Sequence, residues 1–198
     1  MCRFVETIQL KEGDFKRLPF HQMRLKKAMN QFFPKEKVIN LTEWLLKTDY
    51  PTKGLFKCRV VYDYEIRLIE FIPYVRREIR NLKIVSSDIE SLPYKPEDRT
   101  GYNSAFAQRG NCDEVIIVRN GLLTDSSYSN IALYDGTTWF TPRRPLIYGT
   151  NRAELLANGK LVEADIKVDD LQHFTQIAIF NAMIEFGEII LDTDKIQS

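Results

Sequence analysis

The sequence predicts an α+β protein, with a small α/β domain at the N-terminus and a larger domain built on a mixed, barrel-like sheet. In the second half of the chain, predicted strands far outnumber the helices that could connect parallel strands. A hydrophobic content of 44% over 198 residues can bury one sizeable core or two modest ones. A polar segment that contains Pro93 and Pro96 is typical of an interdomain linker. We therefore expect domains over residues 1–86 and 97–198, joined by a linker over residues 87–96.

The composition excludes several classes of function. The 28 Lys and Arg residues are balanced by 27 Asp and Glu residues, so the bulk charge implies no nucleic-acid partner. Cys2, Cys58 and Cys112 lack metal-ligand spacing, and His21 and His173 stand alone in the sequence, so no metal site is expected. No apolar stretch is long enough for a signal peptide or a membrane span. We expect a soluble cytoplasmic protein with reduced cysteines and no membrane partner.

The first half alternates between strand and helix patterns. Residues 3–10 alternate as a strand, and Gly13 turns the chain toward a second short strand. Apolar residues then recur with helical spacing over residues 20–33, and Pro34 stops the helix. The other elements expected in this half are a helix capped by Asn40 or Thr42 and strands over residues 56–62, 65–74 and 82–86.

The second half is rich in hairpin signals. Asn120-Gly121 and Asp135-Gly136 each supply a two-residue turn between the strand-like runs of residues 113–142. The other elements expected here are helices over residues 97–110 and 151–158, a strand over 161–168, a helical turn over 169–174 and a central apolar strand over 175–183.

Lys95 is the first candidate for chemistry. It lies between Tyr94 and Pro96 at the expected domain junction, where ligand clefts tend to form. A lysine forms a Schiff base with an aldehyde when burial or a neighbouring cation lowers its pKa, and Arg99 is close enough in the sequence to be that cation. The alternative is a solvated linker lysine, which is the commoner situation for a lysine taken alone.

Two further features lie on one predicted sheet unit. Asp125 follows an apolar run and precedes small polar residues, and a buried carboxylate can keep a pyridinium nitrogen protonated. Gly149, Thr150 and Asn151 open a helix, whose free N–H groups and dipole favour a phosphate. Asp125 is equally well explained as a turn or edge-strand residue, and helix capping equally explains Thr150 and Asn151. Together with Lys95, these features are the parts that a pyridoxal phosphate site needs.

Five sequence blocks, taken in order, resemble the class IV aminotransferases, which are fold-type IV pyridoxal phosphate enzymes. This family includes branched-chain and D-amino-acid aminotransferases and 4-amino-4-deoxychorismate lyase. The blocks are FVETIQLKEG…HQMRL, KPEDR, DEVIIVRNGLLTDSSYSNI, TPRRPLIYGTNRAELL and IAIFNAM. KPEDR is most similar to the lyase version of the family's Lys-x-x-Asn-Arg segment. The resemblance implies the D-amino-acid aminotransferase-like fold.

The resemblance also implies a role for individual residues. Taken alone, Arg24 would be a surface arginine of the first helix, but the resemblance brings it to the cofactor phosphate. Lys95 would be the Schiff-base lysine and the proton shuttle. The remaining cofactor contacts that the resemblance implies are Asp125 at the pyridine nitrogen, Gly149, Thr150 and Asn151 at the phosphate, and Asn181 and Ala182 along the pocket.

The chain departs from the family pattern at three points. Asp125 stands where the family usually has Glu, so the carboxylate is one methylene shorter. Asn151 stands where the family often has Thr, although Asn still offers a donor. The chain begins near the family's first long strand, and the strands usually found ahead of it help to close the substrate side and the dimer contact.

The resemblance implies an enzyme that acts on the amino group of a small molecule, as 4-amino-4-deoxychorismate lyase or as an amino acid aminotransferase. The KPEDR and NAM matches favour the lyase. Arg59, Tyr62 and Arg99 are candidate contacts for a substrate carboxylate, and each is equally well explained as a surface or inter-strand residue. Family members form homodimers, so we expect a homodimer. The alternative is a cofactor-binding or structural dimeric homologue without catalytic activity, which the short N-terminus and Asp125 would suit.

Overall fold

The structure, a computed structural model, describes residues 2–197. These residues form two units, and each unit is discontinuous in the sequence. The first unit runs to Arg76 and adds Pro93–Asp98, whereas the second comprises Arg77–Leu92 and the chain from Arg99 onward. Residue 1, the first of the expected N-terminal domain, and residue 198, the last of the expected larger domain, lie outside the described residues.

These boundaries differ from the ones expected from the sequence. Residues 82–86, expected at the end of the N-terminal domain, belong to the second unit because they pair with residues 114–118 as parallel strands. Residues 93–98 belong to the first unit, where the carbonyl of Lys95 accepts the N–H of Val5 at 2.9 Å. Composition reports where the chain is polar, whereas these hydrogen bonds depend on partners that are distant in the sequence.

The first unit contains a four-stranded antiparallel sheet and two helices. The strands, in the order β2–β1–β3–β4, are β1 (Phe4–Lys11), β2 (Asp14–Phe15), β3 (Leu55–Tyr62) and β4 (Ile66–Pro73). The helices are α1 (Leu18–Phe32) and α2 (Leu41–Leu46). Pro19 lies in the first turn of α1, where its missing N–H costs nothing, so the helix begins earlier than residue 20. Asn40 caps α2 by accepting the N–H of Glu43 at 3.2 Å.

Strand β1 presents different chemistry on its two faces. Alternate side chains of a strand point to opposite faces. Glu6 contacts His21 and Arg24, so the face that carries Glu6 is the one covered by α1. Thr7 lies on the opposite face. This alternation separates the two groups of polar side chains that the first unit contributes to the candidate site.

The second unit contains a nine-stranded sheet within the described chain. The path runs β10–β9–β8–β7–β6–β5–β13, and β11 pairs with both β8 and β12. The strands are β5 (Leu82–Ser86), β6 (Glu114–Arg119), β7 (Leu122–Ser126), β8 (Asn130–Tyr134), β9 (Trp139–Pro142), β10 (Val162–Ala164), β11 (Gln176–Phe180), β12 (Ile190–Asp192) and β13 (Ile196–Gln197). The helices are α3 (Thr100–Ala107) and α4 (Thr150–Ala157), with 3₁₀ turns at Val168–His173 and Thr193–Lys195.

The pairing of these strands confirms a mixed sheet. Three pairs are parallel, namely β5 with β6, β5 with β13, and β9 with β10, and the other pairs are antiparallel. Strand β11, expected to be central, has a partner on each side. Strands β12 and β13 are not predicted, because segments of two or three residues carry no readable alternation.

The core of the second unit lies on both faces of β6. Ile116 packs in one apolar cluster with Ile131 and Ile179. The neighbouring residue Ile117 packs in a second cluster with Ala105 of α3. Burial on both faces explains the uninterrupted β-branched run of β6. It also places β7, the next strand of the sheet, in a water-poor environment.

The helices of this fold are short. The longest, α1, spans 15 residues. Within residues 2–197, no helix has the length and apolarity that a membrane crossing requires. Within the same range, no group of three or more His, Cys, Asp or Glu side chains is arranged to hold a metal ion.

Candidate active site

Lys95 is anchored to the first unit through both its backbone and its side chain. Its carbonyl accepts the N–H of Val5 at 2.9 Å, and Pro96 forms a bridge to Phe4. Its Nζ donates to Oγ1 of Thr7 at 3.0 Å, and the side chain is half-buried. The solvated linker lysine is therefore not what the fold contains. The amine is held at a defined position beside β1.

Glu6, His21 and Arg24 form a buried cluster on the opposite face of β1. Arg24 donates from Nε to Oε1 of Glu6 at 2.9 Å and from Nη2 to Oε2 at 2.6 Å. Nδ1 of His21 lies 2.5 Å from Oε2 of the same carboxylate. Glu6 and His21 are fully buried, and Arg24 is only 6% exposed. The expectation that Arg24 taken alone lies on the surface is wrong.

The charges of this cluster compensate one another. Burial alone would raise the pKa of Glu6, but the charge of Arg24 and the hydrogen bond from His21 outweigh it and hold the pKa at about 2. Burial lowers the pKa of His21 despite its bond to Glu6, so the ring is neutral and donates from Nδ1. The cluster is thus an ion pair with a neutral histidine. Nη1 of Arg24 makes no hydrogen bond to any residue within 2–197, so it is the end of the guanidinium still available to a ligand.

Asp125 lies on β7 in the second unit and is 3% exposed. Its Oδ2 accepts the N–H of Ile147 at 2.9 Å, and its Oδ1 accepts Nδ2 of Asn130 at 2.8 Å. Burial raises the pKa of Asp125 to about 6, although these two hydrogen bonds and the charge of Arg152 lower it. A buried carboxylate of this kind is stabilised further by a cationic N–H partner.

Asn130 is a residue of this site that the sequence interpretation missed. It lies opposite Asp125 across the β7–β8 pair. Besides Asp125, its Nδ2 reaches the carbonyl of Ile147 at 2.9 Å. Its Oδ1 faces Gly149 so closely that a Cβ there would lie 2.0 Å from this oxygen. In the third family block, Asn130 follows Ser129 and stands 5 residues after Asp125. This position in the block is the signal that would have identified Asn130.

The start of α4 is a donor-rich end of the second unit. Gly149 is the N-cap residue, and no side chain caps the helix. Helix N-termini leave N–H groups without intrahelical partners and favour anions. Thr150 is buried at the first position of the helix. The start of α4 therefore offers N–H donors to an anion, and phosphate binding there stays a prediction.

The side chain of Asn151 has a different task from the one expected. Its Nδ2 donates to the carbonyls of Asn181 at 2.8 Å and Ile184 at 3.1 Å, so the amide donor is already used within the fold. Its Oδ1 is buried without a hydrogen-bond partner among the described residues. Any contact of Asn151 with a phosphate would have to come from its backbone N–H.

Asn181 and Ala182 lie in the turn that follows β11. The carboxamide of Asn181 is committed to this turn, because Oδ1 accepts the N–H groups of Met183 and Ile184 at 2.7 and 3.0 Å. Its Nδ2 donates to Oγ of Ser129 at 2.9 Å. Asn181 thus ties the turn to the start of α4 and to the β7–β8 hairpin. A role of Ala182 in the pocket stays a prediction.

Two of the three candidate substrate contacts, Arg59 and Tyr62, lie in the first unit. Arg59 is already paired with carboxylates, and Tyr62 is buried. Arg59 donates from Nη1 to Glu70 at 2.9 Å and from Nη2 to Glu97 at 2.7 Å. Glu70 lies directly opposite Arg59 in the β3–β4 register, so the inter-strand interpretation describes Arg59. Tyr62 is fully buried, and its hydroxyl makes no hydrogen bond within residues 2–197. The surface interpretation of Tyr62 is wrong, because its ring packs against Phe4 in the core.

Arg99, the third candidate, lies at the start of α3 in the second unit. Its Nη2 donates to the carbonyl of Ser127 at 2.6 Å, and its guanidinium lies 3.7 Å from the centre of the Tyr102 ring. Burial lowers the pKa of Arg99, whereas Tyr102 and Asp125 oppose that effect. The expectation that Arg99 acts as a cation beside Lys95 stays a prediction.

Comparisons with known proteins support the resemblance to the class IV aminotransferases. The family model described as amino-transferase class IV matches residues 99–190. An uncharacterized protein of Haemophilus influenzae is 37% identical over 188 residues, which cover 92% of this chain and 98% of that protein. A solved structure from Haemophilus somnus, described as a candidate 4-amino-4-deoxychorismate lyase, is 32% identical with a TM-score of 0.85 and covers 93% of this chain and 98% of that one.

A more distant structure confirms the fold alone. A candidate amino-acid aminotransferase from Mesorhizobium loti is 21% identical with a TM-score of 0.77, over 97% of this chain and 99% of that one. The fold is that of the fold-type IV enzymes. This chain belongs to the class IV aminotransferase family.

The residues of the second unit fit pyridoxal phosphate, the cofactor implied by this family. An anion needs donors, and α4 begins with N–H groups that no side chain caps. A pyridinium nitrogen needs an acceptor, and Asp125 supplies a buried carboxylate in the same unit. The close approach of Asn130 to Gly149 keeps the start of α4 free of side-chain bulk at residue 149. The chemistry of the donor set therefore matches both polar ends of the cofactor.

Proposed function

We propose that this chain is a pyridoxal phosphate-dependent enzyme with 4-amino-4-deoxychorismate lyase activity. The observation that carries the proposal is its 32% identity, over 98% of that chain, to the Haemophilus somnus structure described as a candidate lyase. The KPEDR segment supports the same choice, because it is most similar to the lyase version of the family motif. The buried carboxylate of Asp125 and the uncapped start of α4 support the cofactor.

The proposal gives residues of both units a role. Pyridoxal phosphate, when bound, supplies an electron sink for the carbon that bears the substrate's amino group. Lys95 would bind the aldehyde carbon through Nζ and carry protons to and from the substrate, and Thr7 fixes where that amine starts. Asp125 would hold a proton on the pyridine nitrogen. Arg24, through Nη1, and the N–H groups at the start of α4 would bind the phosphate.

Cofactor binding is tested by labelling Lys95. The purified chain is incubated with pyridoxal phosphate, reduced with borohydride, digested and examined by mass spectrometry. We expect a pyridoxyl mass on the peptide that contains Lys95, and we expect Lys95→Ala to lose it. Lys53→Ala, an exposed lysine of the same unit, is the matched control and should keep the label. A chain that takes up no cofactor, or a label on another lysine, would contradict the proposal that Lys95 binds the cofactor.

The reaction is tested by product formation. The lyase releases p-aminobenzoate and pyruvate from 4-amino-4-deoxychorismate and needs no amino acceptor. We expect both products without any added keto acid. If turnover requires a keto acid, the enzyme is an amino acid aminotransferase instead. If the cofactor binds and neither reaction occurs, the chain is the non-catalytic dimeric homologue.

Assembly and location follow the same family expectation. We propose a homodimer in the cytoplasm, with a small-molecule amino substrate as the other partner. Cys58 and Cys112 are buried and unpaired, and Cys2 is unpaired and exposed, which suits a reducing compartment. Light scattering coupled to size-exclusion chromatography tests the dimer, and a monomer at micromolar concentration would contradict it.

A further inference from the structure

Asp125, Asn130 and Ile147 form a closed ring of three hydrogen bonds inside the second unit. Nδ2 of Asn130 donates to Oδ1 of Asp125 at 2.8 Å and to the carbonyl of Ile147 at 2.9 Å. The N–H of Ile147 closes the ring on Oδ2 of Asp125 at 2.9 Å. Both neighbours of Nδ2 are acceptors, so the orientation of the carboxamide is fixed by its surroundings. Asp125 and Asn130 are 3% and 5% exposed, so little water competes for these bonds.

The other side of the same carboxamide faces the start of α4. Because Nδ2 is used by the ring, Oδ1 points the opposite way, toward Gly149. A Cβ at residue 149 would lie 2.0 Å from Oδ1 and 3.2 Å from Cγ of Asn130. No real Cβ contact is that short, so Asn130 can stay in place only because residue 149 is glycine.

We propose that Asn130 is a positioning residue that couples the carboxylate of Asp125 to the N-terminus of α4. The side chain of Asn130 would then set the distance between Asp125, which would face the pyridine nitrogen, and the N–H donors at the start of α4, which would face the phosphate. The consequence for cofactor binding rests on the proposed function. The coupling itself belongs to the protein alone and can be measured without cofactor.

The coupling has a signature in the titration of Asp125. The charged and titratable groups that act on this carboxylate from packed elements are Arg152 of α4 and, at the start of α3, Arg99 and Tyr102. These groups remain when Asn130 is replaced. The hydrogen bond from Asn130 lowers the pKa of Asp125, against the larger effect of burial, which raises it. Loss of Asn130 should therefore move the titration of Asp125 to higher pH.

Gly149→Ala separates coupling from a local effect. The backbone of Gly149 has φ −67° and ψ 147°, an extended conformation that alanine adopts without strain. The three atoms nearest to a Cβ at residue 149 all belong to the carboxamide of Asn130. An effect of this Cβ on Asp125 that disappears when Asn130 is replaced therefore passes through Asn130, and not through the backbone of Ile147.

The experiment follows the carboxyl ¹³C signal of Asp125 in the cofactor-free chain, assigned by its absence in Asp125→Asn. We expect Asn130→Ala to raise the titration midpoint by roughly one pH unit, the size expected when a charged acceptor loses a hydrogen bond. Gly149→Ala should raise it by a similar amount. In the Asn130→Ala background, Gly149→Ala should add nothing, because its collision partner is gone.

The controls decide between coupling and general damage. Asn103→Ala, an exposed asparagine of α3, should leave the midpoint unchanged. If Asn130→Ala does not fold, Asn130→Ser replaces it in the cycle. The proposal is overturned if Gly149→Ala leaves the midpoint unchanged, or if the two shifts add.

Cofactor affinity provides the second readout. Pyridoxal phosphate should bind roughly tenfold more weakly to Asn130→Ala and to Gly149→Ala, since either change loosens the positions of both its polar ends. If the unmodified chain binds no pyridoxal phosphate, the proposed function fails, while the titration cycle still decides whether Asn130 couples Asp125 to α4.

Discussion

Arg24 is held by both oxygens of Glu6 in the interior of the first unit, at 2.9 and 2.6 Å. Two parallel contacts fix the plane of the guanidinium as well as its position. The remaining nitrogen, Nη1, therefore has a defined direction before any ligand arrives. Preorganisation of this kind lets an arginine bind a phosphate without first losing side-chain entropy.

Glu6→Gln should destabilise the protein strongly. The substitution keeps the shape of the side chain but leaves the buried charge of Arg24 without a counter-ion. Removing one partner of a buried ion pair typically costs about 3–5 kcal/mol. Urea denaturation measures the change in unfolding free energy. Glu43→Gln is the control, because its ion pair with Lys47 is exposed to solvent and should contribute little to stability. An equal loss in both variants would contradict the prediction.

Acid should remove the contribution of Glu6 to stability. The pKa of Glu6 is about 2 in the fold, where Arg24 and His21 outweigh burial, against an ordinary value of 4.5. A carboxyl group with a lowered pKa stabilises the fold fully above the unfolded pKa and loses that effect as the pH falls through the folded pKa. We expect the difference in unfolding free energy between wild type and Glu6→Gln to shrink between pH 4.5 and 2 by an amount on the order of 3 kcal/mol. A difference that does not vary with pH would contradict this.

Asp125 should have the opposite pH dependence. Burial raises its pKa to about 6 from 3.8, so the folded state holds this proton more tightly than the unfolded state does. Its favourable contribution is therefore present below pH 3.8 and is lost as the pH rises through about 6. Relative to Asp125→Ala, wild type should lose on the order of 3 kcal/mol of stability between pH 4 and 7. Parallel stability curves for the two proteins would show that Asp125 does not titrate in this window.

Tyr62→Phe should not weaken the fold. The hydroxyl of Tyr62 is buried and makes no hydrogen bond within residues 2–197. Deleting an unsatisfied buried polar group removes its desolvation cost, so we expect a gain of roughly 1 kcal/mol in unfolding free energy. The same variant tests the substrate expectation, because an unchanged kcat/KM excludes a substrate contact. A loss of stability would show that the hydroxyl has a partner in solution.

Arg24→Lys should separate the phosphate from the rest of the cofactor. Lysine keeps the charge that Glu6 requires but loses the two-point geometry and the free Nη1. Equilibrium titration should show roughly tenfold weaker binding of pyridoxal phosphate, about 1.4 kcal/mol, and unchanged binding of pyridoxal, which has no phosphate. Equal losses for both ligands would place Arg24 away from the phosphate.

The helices and long strands were predictable because they depend on local periodicity. Leu25 and Met29 mark the buried face of α1, and the β-branched run around Ile116 marks β6, whatever the rest of the chain does. The parallel pairing of β5 with β6 was not predictable. It depends on a partner that follows an intervening helix, and composition placed the domain boundary on the wrong side of β5.

The family blocks mark candidate site residues, but they do not mark the residues that hold those candidates in place. Lys95, Arg24 and Asp125 stand in recognisable blocks, whereas Glu6 and Asn130 act through the residues that they hold. The sequence contains one physical signal that Glu6 has a buried partner. It occupies an inward position between Phe4 and Ile8 on an alternating strand, where a carboxylate requires a buried partner. The identity of that partner depends on which helix covers the strand.

The discontinuity of the two units sets an order for their synthesis. The first unit needs Pro93–Asp98 beside β1, so the ribosome must translate Arg77–Leu92, a segment of the other unit, before the first can be completed. The second unit in turn gains β13, at Ile196–Gln197, as the parallel neighbour of β5 only after the long intervening stretch of chain has been translated. Each unit therefore waits for sequence made later than its own first strands. A nascent chain released early would expose unpaired strand edges on whichever unit it had left unfinished.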